Sequence, residues 1–319
     1  MNISERRIKD INNFTSFSGN LIEKVLRLED LLKDIFRHPY LRNKFLLKGG
    51  TALNFCYFNK SRLSVDIDLN YVGSIDMETM KKERLKAEEA IIKIVHDKGY
   101  IISGNPGEEH AGGKWSIVYT DLSGNNENLE FDINYLYRVP IGKPNAKNFK
   151  AFDDSGEFEI LTVSTEELFA GKVVAVLDRS TPRDIYDLVN IQNYSKPYNC
   201  DFFRKAVILL GASRKKDFRK MTAEKLESIS DRDIESSLYP LLSRKERISR
   251  EKLLEKAIPF VSNLLNFTAE EKEFLDRYLD NAEYKPDILF HKYPDLIPKL
   301  EKHPSLLWKK LNVERYLAD

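Results

Sequence analysis

Two aspartates separated by one residue, Asp66 and Asp68, are the residues of this sequence best suited to chemistry. They lie in a stretch, 65–72, where acidic or amide side chains alternate with apolar ones, the pattern of a β-strand. Side chains repeat every two residues along a strand, so both carboxylates point to one face. Two carboxylates that close repel each other unless a cation lies between them. We expect that cation to be Mg²⁺, which takes one or two carboxylates and completes its shell with water and phosphate oxygens.

A pair of glycines, Gly49 and Gly50, precedes the aspartate strand by the length of a short helix. The apolar run 45–47 enters them as a strand, Thr51 follows them, and residues 52–58 are apolar enough for a buried helix. Backbone N–H groups that are free at a glycine turn ahead of a helix accept phosphate oxygens. The glycine turn and the aspartate pair together predict a site for a nucleoside triphosphate (NTP) with Mg²⁺, poised for transfer.

The same stretch resembles a known family. The sequence G-G-T-A-L followed by R-x-S-x-D-I-D-L is similar to the first motif of the DNA polymerase beta-like nucleotidyltransferases, and more narrowly to the AbiEii/AbiGii toxins, which include the MenT toxins. The matching residues are Gly49, Gly50, Thr51, Ala52, Leu53, Arg62, Ser64, Asp66, Ile67, Asp68 and Leu69. We expect the nucleotide to be bound by Gly49, Gly50, Thr51, Arg62, Ser64 and a lysine further along the chain, Lys172.

Lys172 lies among small and apolar residues, a setting in which a lysine needs an anionic partner such as a triphosphate. The sequence Ser164-x-x-Glu167 predicts a capping box that opens its helix, and the next helix begins at 181–183. A helical lysine followed by R-D-x-x-D-L resembles the later motif of the family, which places the essential acid of that motif at Asp184. The alternative for Asp184 is a helix cap alone. Asp187 is expected to hold the helix in place.

A third carboxylate, Asp132, lies in a predicted strand, 128–139, whose one side carries Glu130, Asp132 and Asn134. The resemblance implies that Asp132 faces the aspartate pair, orients the metal and helps the acceptor hydroxyl lose its proton. The alternative is a polar, solvated face of an edge strand. The expected catalytic residues are therefore Asp66, Asp68, Asp132, Lys172 and Asp184, with Asp66 and Asp68 as the metal ligands.

The pattern of elements predicts an α/β (α+β) protein with a mixed nucleotidyltransferase sheet and flanking helices over 1–195, followed by a helical domain over 196–319. The chain has 319 residues, 42% of them hydrophobic and 32% charged, which is typical of one or two globular domains. Two distant cysteines indicate a reducing compartment, and five histidines without metal-ligand spacing argue against a zinc site. No apolar run reaches the ~18 residues of a membrane span, so we expect a cytoplasmic protein.

The helical half contains a basic run. Its expected RNA-binding residues are Arg214, Lys215, Lys216, Arg219 and Lys220. Such a run neutralises nucleic-acid phosphates, although a solvated helix face is an equally simple explanation. The formal charge of the whole chain is only +1, so the run is a local feature.

The resemblance implies a toxin that transfers a nucleoside monophosphate from NTP to RNA, specifically the 3′ end of tRNA. It also implies a type IV-like toxin–antitoxin or abortive-infection system that acts in phage defence, with a cognate antitoxin encoded nearby. One alternative is transfer to a protein hydroxyl or a small molecule. Another is a nucleotide-binding regulator without catalysis, against which the retention of Asp66, Asp68 and Lys172 argues.

Overall fold

A computed structural model describes residues 3–58, 60–103 and 112–318, which form two compact units. The first unit comprises Met1–Arg138, Pro144–Val163 and Leu238–Arg247, and the second comprises Val139–Lys143, Ser164–Ser237 and Ile248–Asp319. The segment 164–195, which the sequence analysis assigned to the catalytic domain, thus lies in the second unit. That residues 1–195 carry catalysis and residues 196–319 bind the acceptor stays a prediction.

The first unit is built on a mixed sheet, as the sequence predicted, and the sheet has seven strands among the described residues. Its strands are β1 (Phe45–Leu47), β2 (Asp66–Tyr71), β3 (Ile101–Ser103), β4 (Gly112–Thr120), β5 (Asn126–Asn134), β6 (Asn145–Phe149) and β7 (Phe158–Thr162). They lie in the order β3-β4-β5-β2-β1-β7-β6. β2 pairs in parallel with β5, and β1 in parallel with β7, whereas the other neighbours are antiparallel.

The apolar face of this sheet fixes which side carries the acids. Ile67 and Leu69 of β2 are fully buried, and they pair in register with Phe131 and Ile133 of β5, which are equally buried. A slip of one residue would turn these side chains to the opposite face and bury the carboxylates between them. The cost of burying unpaired carboxylates therefore locks the register of β2 against β5.

Two strands differ from the sequence prediction. β5 ends at Asn134, rather than at 139, because the side-chain oxygen of Asn134 accepts the N–H groups of Leu136 and Tyr137 and turns the chain. β6, with the sequence Asn-Ala-Lys-Asn-Phe, was not predicted, since only its last residue is large and apolar.

The helices of the first unit are α1 (Glu5–Thr15), α2 (Gly19–Arg37), α3 (Gly49–Ala52) and α4 (Met77–Asp97). α3 continues directly into a π-helical turn, Leu53–Tyr57, so the predicted short helix after the glycines changes its hydrogen-bond period. In α4 the buried residues include Ala87, Ile91 and Val95. Leu85 of the same helix is 71% exposed because it lies two positions before Ala87, on the other side of the helix.

The second unit contains helices and no strand among its described residues. They are α5 (Thr165–Arg179), α6 (Pro182–Gln192), α7 (Cys200–Ala212), α8 (Asp231–Ser237), α9 (Arg250–Leu265), α10 (Ala269–Asn281), α11 (Asp287–Phe290), α12 (Ile297–Leu300) and α13 (Pro304–Ala318). The stretch 222–229 forms a 3₁₀ helix, Glu224–Ser228, and the last helices are separated by a 3₁₀ turn, Pro294–Leu296, and by Pro304. None of the helices in the described parts of the chain has the length and apolar character needed to span a membrane.

One segment of the C-terminal half returns to the first unit. The carbonyl of Leu241 accepts the N–H of Leu63, 2.8 Å away, and Ser243 Oγ donates to the carbonyl of Thr15 at 2.9 Å. This segment follows directly on Leu238, which is fully buried. The end of the loop between the glycine helix and β2 is thereby fixed by a part of the chain far away in sequence.

Candidate functional site

Four carboxylates lie side by side on two neighbouring strands. In the parallel pairing of β2 with β5, Asp66 lies opposite Glu130 and Asp68 opposite Asp132. Opposite residues of neighbouring strands share a face at a strand spacing of about 4.8 Å. Lys114 of β4 lies opposite Asp132 on the other side. The structure therefore brings the predicted third acid next to the aspartate pair and adds Lys114, which the sequence analysis did not single out.

The glycine turn lies directly against Asp68. Gly49 has φ +71°, a left-handed conformation that favours glycine. A Cβ added there would lie 2.9 Å from Cγ of Asp68 and closer still to one of its oxygens. The N–H of Lys48 also donates to the carbonyl of Asp68, at 3.0 Å. The turn and the aspartate therefore share one space, from which a side chain at position 49 is excluded.

The second glycine is in contact with the other residues of the first motif. A Cβ at Gly50 would lie 2.7 Å from Nη2 of Arg62 and 2.9 Å from Oγ of Ser64, both of which are buried. Thr51 is fully buried, and its hydroxyl donates to the carbonyl of Asp66 at 2.5 Å. The side chain of Thr51 thus ties the helix to β2, which leaves its backbone N–H as the group suited to a phosphate.

The electrostatic setting of Asp132 differs from that of an ordinary surface acid. Burial raises the pKa of Asp132, and the neighbouring charge of Asp68 adds to the rise, whereas Lys48 and Lys114 oppose it. A carboxylate with a raised pKa binds a proton more readily at neutral pH than a solvated one. This is the property expected of a group that accepts a proton from an attacking hydroxyl.

The donor set suits a magnesium ion that keeps much of its own water. No cluster of three or more His, Cys, Asp or Glu side chains with metal-binding geometry occurs in the described ranges. Asp66 and Asp68 lie on the same strand face and supply two carboxylates, which is the number that Mg²⁺ takes when substrate phosphates complete its shell. The residues present therefore fit Mg²⁺ bound with a nucleotide, and Asp66 and Asp68 would hold it.

Lys172 lies in a buried ionic cluster of the second unit. It is 6% exposed, and its Nζ lies 2.7 Å from Asp184 and 2.9 Å from Asp187, which are 1% and 0% exposed. The anionic partner that the sequence analysis required is thus supplied by two acids of α6. The structure brings Lys172 and Asp184 into direct contact, while their part in catalysis stays a prediction.

Two further residues complete this cluster, and neither was predicted. Arg179 donates from Nε and Nη2 to Asp184 at 2.5 and 3.0 Å, although its side chain is 53% exposed. Thr181 Oγ1 donates to Asp184 at 2.6 Å. Burial alone would raise the pKa of Asp184, but the charges of Lys172 and Arg179 hold it well below its usual value. Asp184 is therefore more than a helix cap, since it joins α5 to α6.

The capping residues of α5 also behave differently from the predicted box. Ser164 Oγ accepts the N–H of Glu167, as expected. The carboxylate of Glu167 accepts the N–H groups of Ile141 and Gly142, at 2.9 and 3.4 Å. Glu167 therefore attaches a preceding loop to the helix that carries Lys172.

The predicted RNA-binding run separates into two kinds of residue. Arg214 forms an ion pair with Asp178, and Arg219 forms ion pairs with three aspartates of the second unit. Lys215, Lys216 and Lys220 are exposed and make no ion pair with the described residues. The three lysines are thus exposed, although the charge of Lys220 also lowers the pKa of Asp217 and Asp280, whereas the two arginines are engaged by aspartates.

Comparison with known proteins identifies the class. A scan against protein-family models matches residues 30–283 to the nucleotidyl transferase AbiEii toxin family of type IV toxin–antitoxin systems. The chain therefore belongs to the AbiEii nucleotidyltransferase toxin family.

The structure is similar to that of MenT4, a nucleotidyltransferase toxin from Mycobacterium tuberculosis H37Rv. The sequences are 14% identical, the TM-score is 0.67, and the match covers 94% of this chain and 99% of that one. At this identity the likeness shows the fold alone, and it confirms the predicted fold class. A search of curated proteins found no match.

The contact between the glycine turn and Asp68 leads to a prediction with a matched control. Gly49→Ala and Gly99→Ala place the same methyl group at nearly the same φ, +71° and +73°, but nothing lies within 4 Å of a Cβ at Gly99. Both variants should lose about 1–2 kcal/mol of unfolding free energy through backbone strain, measured by urea denaturation. Gly49→Ala should lose more than Gly99→Ala, because its Cβ also collides with Asp68. Only Gly49→Ala should also lose NTP binding, measured by calorimetry with Mg²⁺. Equal NTP affinities in the two variants would show that the contact has no role in binding.

The buried cluster leads to a prediction about pH. Lys172→Met leaves two buried carboxylates without their amine, so it should lower the unfolding free energy by about 3–5 kcal/mol at pH 7. The parent keeps the contribution of Asp184 above the unfolded pKa near 3.8 and loses it only as pH falls through the lower folded pKa. In the variant Asp184 keeps its contacts with Arg179 and Thr181, but both acids lack the amine that stabilised their charged forms. They should therefore bind protons more readily, and the deficit should shrink between pH 7 and pH 5.

A lysine with a solvated partner serves as the control for this experiment. The side chain of Lys24 is 17% exposed, and its partner Glu127 is 36% exposed and stays solvated when the amine is removed. Lys24→Met should therefore show a deficit that does not change over the same pH range. A deficit for Lys172→Met that is equally constant would contradict the assignment of a buried ionic cluster.

Proposed function

We propose that this protein transfers a nucleoside monophosphate from an NTP to a hydroxyl at the 3′ end of a tRNA and releases pyrophosphate. It acts as the toxin of a type IV toxin–antitoxin system in phage defence, and the cognate antitoxin is encoded nearby. The observation that supports the proposal most is the register pair of Asp68 with Asp132 beside the glycine turn. It supports the proposal because Asp66, Asp68 and Asp132 share one face of the sheet and the glycine turn lies against Asp68.

The residues of the first unit divide the work of this reaction. Asp66 and Asp68 would hold the metal ion, which would supply positive charge to the triphosphate. The N–H groups of Gly49, Gly50 and Thr51, at the start of the helix, donate to phosphate oxygens. Asp132 accepts the proton of the acceptor hydroxyl as its oxygen attacks the α-phosphorus. Most of the rate gain then comes from positioning and charge stabilisation.

The acceptor is proposed to be RNA because Lys215, Lys216 and Lys220 are exposed and form no ion pair within the described part of the chain. Each lysine that neutralises a phosphate releases a counterion, which gives an affinity that falls with salt. Arg214 and Arg219, which are engaged in ion pairs, contribute less to this surface than the sequence suggested. The nucleotide-binding role of Lys172 stays a prediction, which titration of Lys172→Arg with NTP would test.

The proposed reaction is tested by incubating the protein with each labelled NTP, Mg²⁺ and a cell extract. Label should enter RNA of tRNA size in the parent, and Asp66→Asn and Asp68→Asn should each lower the rate at least about a hundredfold by removing a metal ligand. Glu89→Gln, an exposed acid of α4 changed in the same way, is the control and should keep the parent rate. Label in protein or in a small molecule, or no label at all, would refute the proposal and favour one of the alternative functions.

The proposed acceptor surface is tested by replacing Lys215, Lys216 and Lys220 with Ala together. The plot of log affinity for tRNA against log salt concentration should flatten by about 0.7–0.9 for each phosphate that the variant no longer neutralises. NTP affinity should be unchanged. A control that removes three other exposed lysines of the second unit, Lys256, Lys299 and Lys302, should leave the slope as in the parent. Equal slopes in the two triple variants would contradict the assignment.

A further inference from the structure

Asn54 is a fully buried polar residue in an otherwise apolar stretch. It lies in the π-helical turn that continues the glycine helix, and it is 0% exposed. Its neighbours in the turn are Leu53, Phe55, Cys56 and Tyr57. A buried amide is expected to find hydrogen-bond partners, and π-helical turns inside helices often mark functional sites. The partners of Asn54 therefore indicate what the residue does.

One end of the Asn54 amide holds the second glycine. Nδ2 donates to the carbonyl of Gly50 at 2.9 Å, and the N–H of Leu53 donates to the same carbonyl. A trans peptide is planar, with its C=O and N–H pointing in opposite directions. Fixing the carbonyl of Gly50 therefore also fixes the direction of the N–H of Thr51. This N–H belongs to the first turn of the helix, where backbone donors lack helical partners.

The other end of the amide holds the segment that precedes β2. Oδ1 accepts the hydroxyl of Ser61 at 2.9 Å and the N–H of Arg62 at 3.2 Å. The backbone carbonyl of Asn54 accepts the N–H of Lys60 at 2.7 Å. Asn54 thus fixes the course of the loop that delivers the buried guanidinium of Arg62 to the glycine turn.

The two ends of the Asn54 amide therefore set the distance between the glycine turn and Arg62. Gly50 is in close contact with Arg62 and Ser64, since even a Cβ at position 50 would collide with both. The backbone donors of the turn lie on one segment and the guanidinium of Arg62 on another. The side chain of Asn54 links the two segments, because it forms a hydrogen bond to the backbone of each. A shift of either segment would change the spacing between groups that the proposed reaction uses together on one triphosphate.

We propose that Asn54 is a positioning residue for the triphosphate. It holds the N–H groups of the glycine turn and the side chain of Arg62 in the spacing that phosphate oxygens require, without touching the nucleotide itself. This inference rests on the proposed nucleotidyl transfer. If Asn54 has this role, loss of its side-chain hydrogen bonds weakens the binding of NTP more than it slows the reaction of bound NTP.

The test is Asn54→Asp, which keeps the size of the side chain and the oxygen that faces Ser61 and Arg62. It replaces the donor to Gly50 with an oxygen that repels the carbonyl. The KM for NTP should rise about tenfold, the effect of losing one strong hydrogen bond, while kcat at saturating NTP stays within about threefold of the parent. An unchanged KM, or a fall in kcat alone, would overturn the proposal.

Two further variants keep the test decisive. Ser61→Ala removes one donor to Oδ1 from a half-buried residue and should raise the KM for NTP about two- to threefold. It decides the matter if Asn54→Asp fails to fold, because an unchanged KM in Ser61→Ala then overturns the proposal. Asn12→Asp is the control: the amide of Asn12 also donates to a backbone carbonyl, that of Phe17, and the KM should stay as in the parent.

The parent protein separates this proposal from the proposed function. If the parent transfers no label from any NTP, the proposed reaction has failed and the role of Asn54 in it fails too. If the parent transfers label and both variants keep the parent KM, only the Asn54 proposal has failed.

Discussion

The close approach of the glycine turn to Asp68 is the constraint on which the site depends. A backbone that carries any side chain at position 49 cannot lie where Gly49 lies, because the carboxylate of Asp68 fills that space. The left-handed φ of Gly49 turns the chain from β1 into the helix at this point. The N–H groups proposed to bind phosphate and the carboxylate proposed to bind the metal can therefore be neighbours, although a helix and a loop separate them along the chain.

The rest of the first unit keeps the glycine turn next to Asp68. The apolar face of β2 and β5 fixes the register that sets Asp68 beside Asp132. Thr51 ties the glycine helix to β2, and Asn54 ties it to the loop before β2. In the second unit a separate ionic cluster joins α5 to α6 through Lys172 and Asp184. Each of these contacts holds a charged or polar group in place. Removing such groups from water costs free energy, and a core made only of apolar side chains would not have that cost.

The sequence predicts the parts of the site that depend on local pattern. Alternation along β2 gives the shared face of Asp66 and Asp68, the double glycine gives the turn, and the resemblance to the family gives Asp132 and Asp184. The sequence does not reveal which side chains of different elements meet, such as Arg179 with Asp184, Asn54 with Arg62, or Arg219 with its aspartates. For this reason the basic run looked more uniform in the sequence than it is in the structure. The polar strand β6 gave no signal because its pattern is that of a loop.

The central claim is that Asp66, Asp68 and the glycine turn hold one metal–triphosphate complex. The most direct test is a crystal structure with Mn²⁺ and a non-hydrolysable NTP analogue, in which anomalous scattering locates the metal. We expect one metal peak about 2.1 Å from an oxygen of each of Asp66 and Asp68, a distance typical of a small hard divalent ion. The triphosphate should accept hydrogen bonds from the N–H groups at 49–51. A metal bound elsewhere, or a triphosphate that does not reach the glycine turn, would contradict the account.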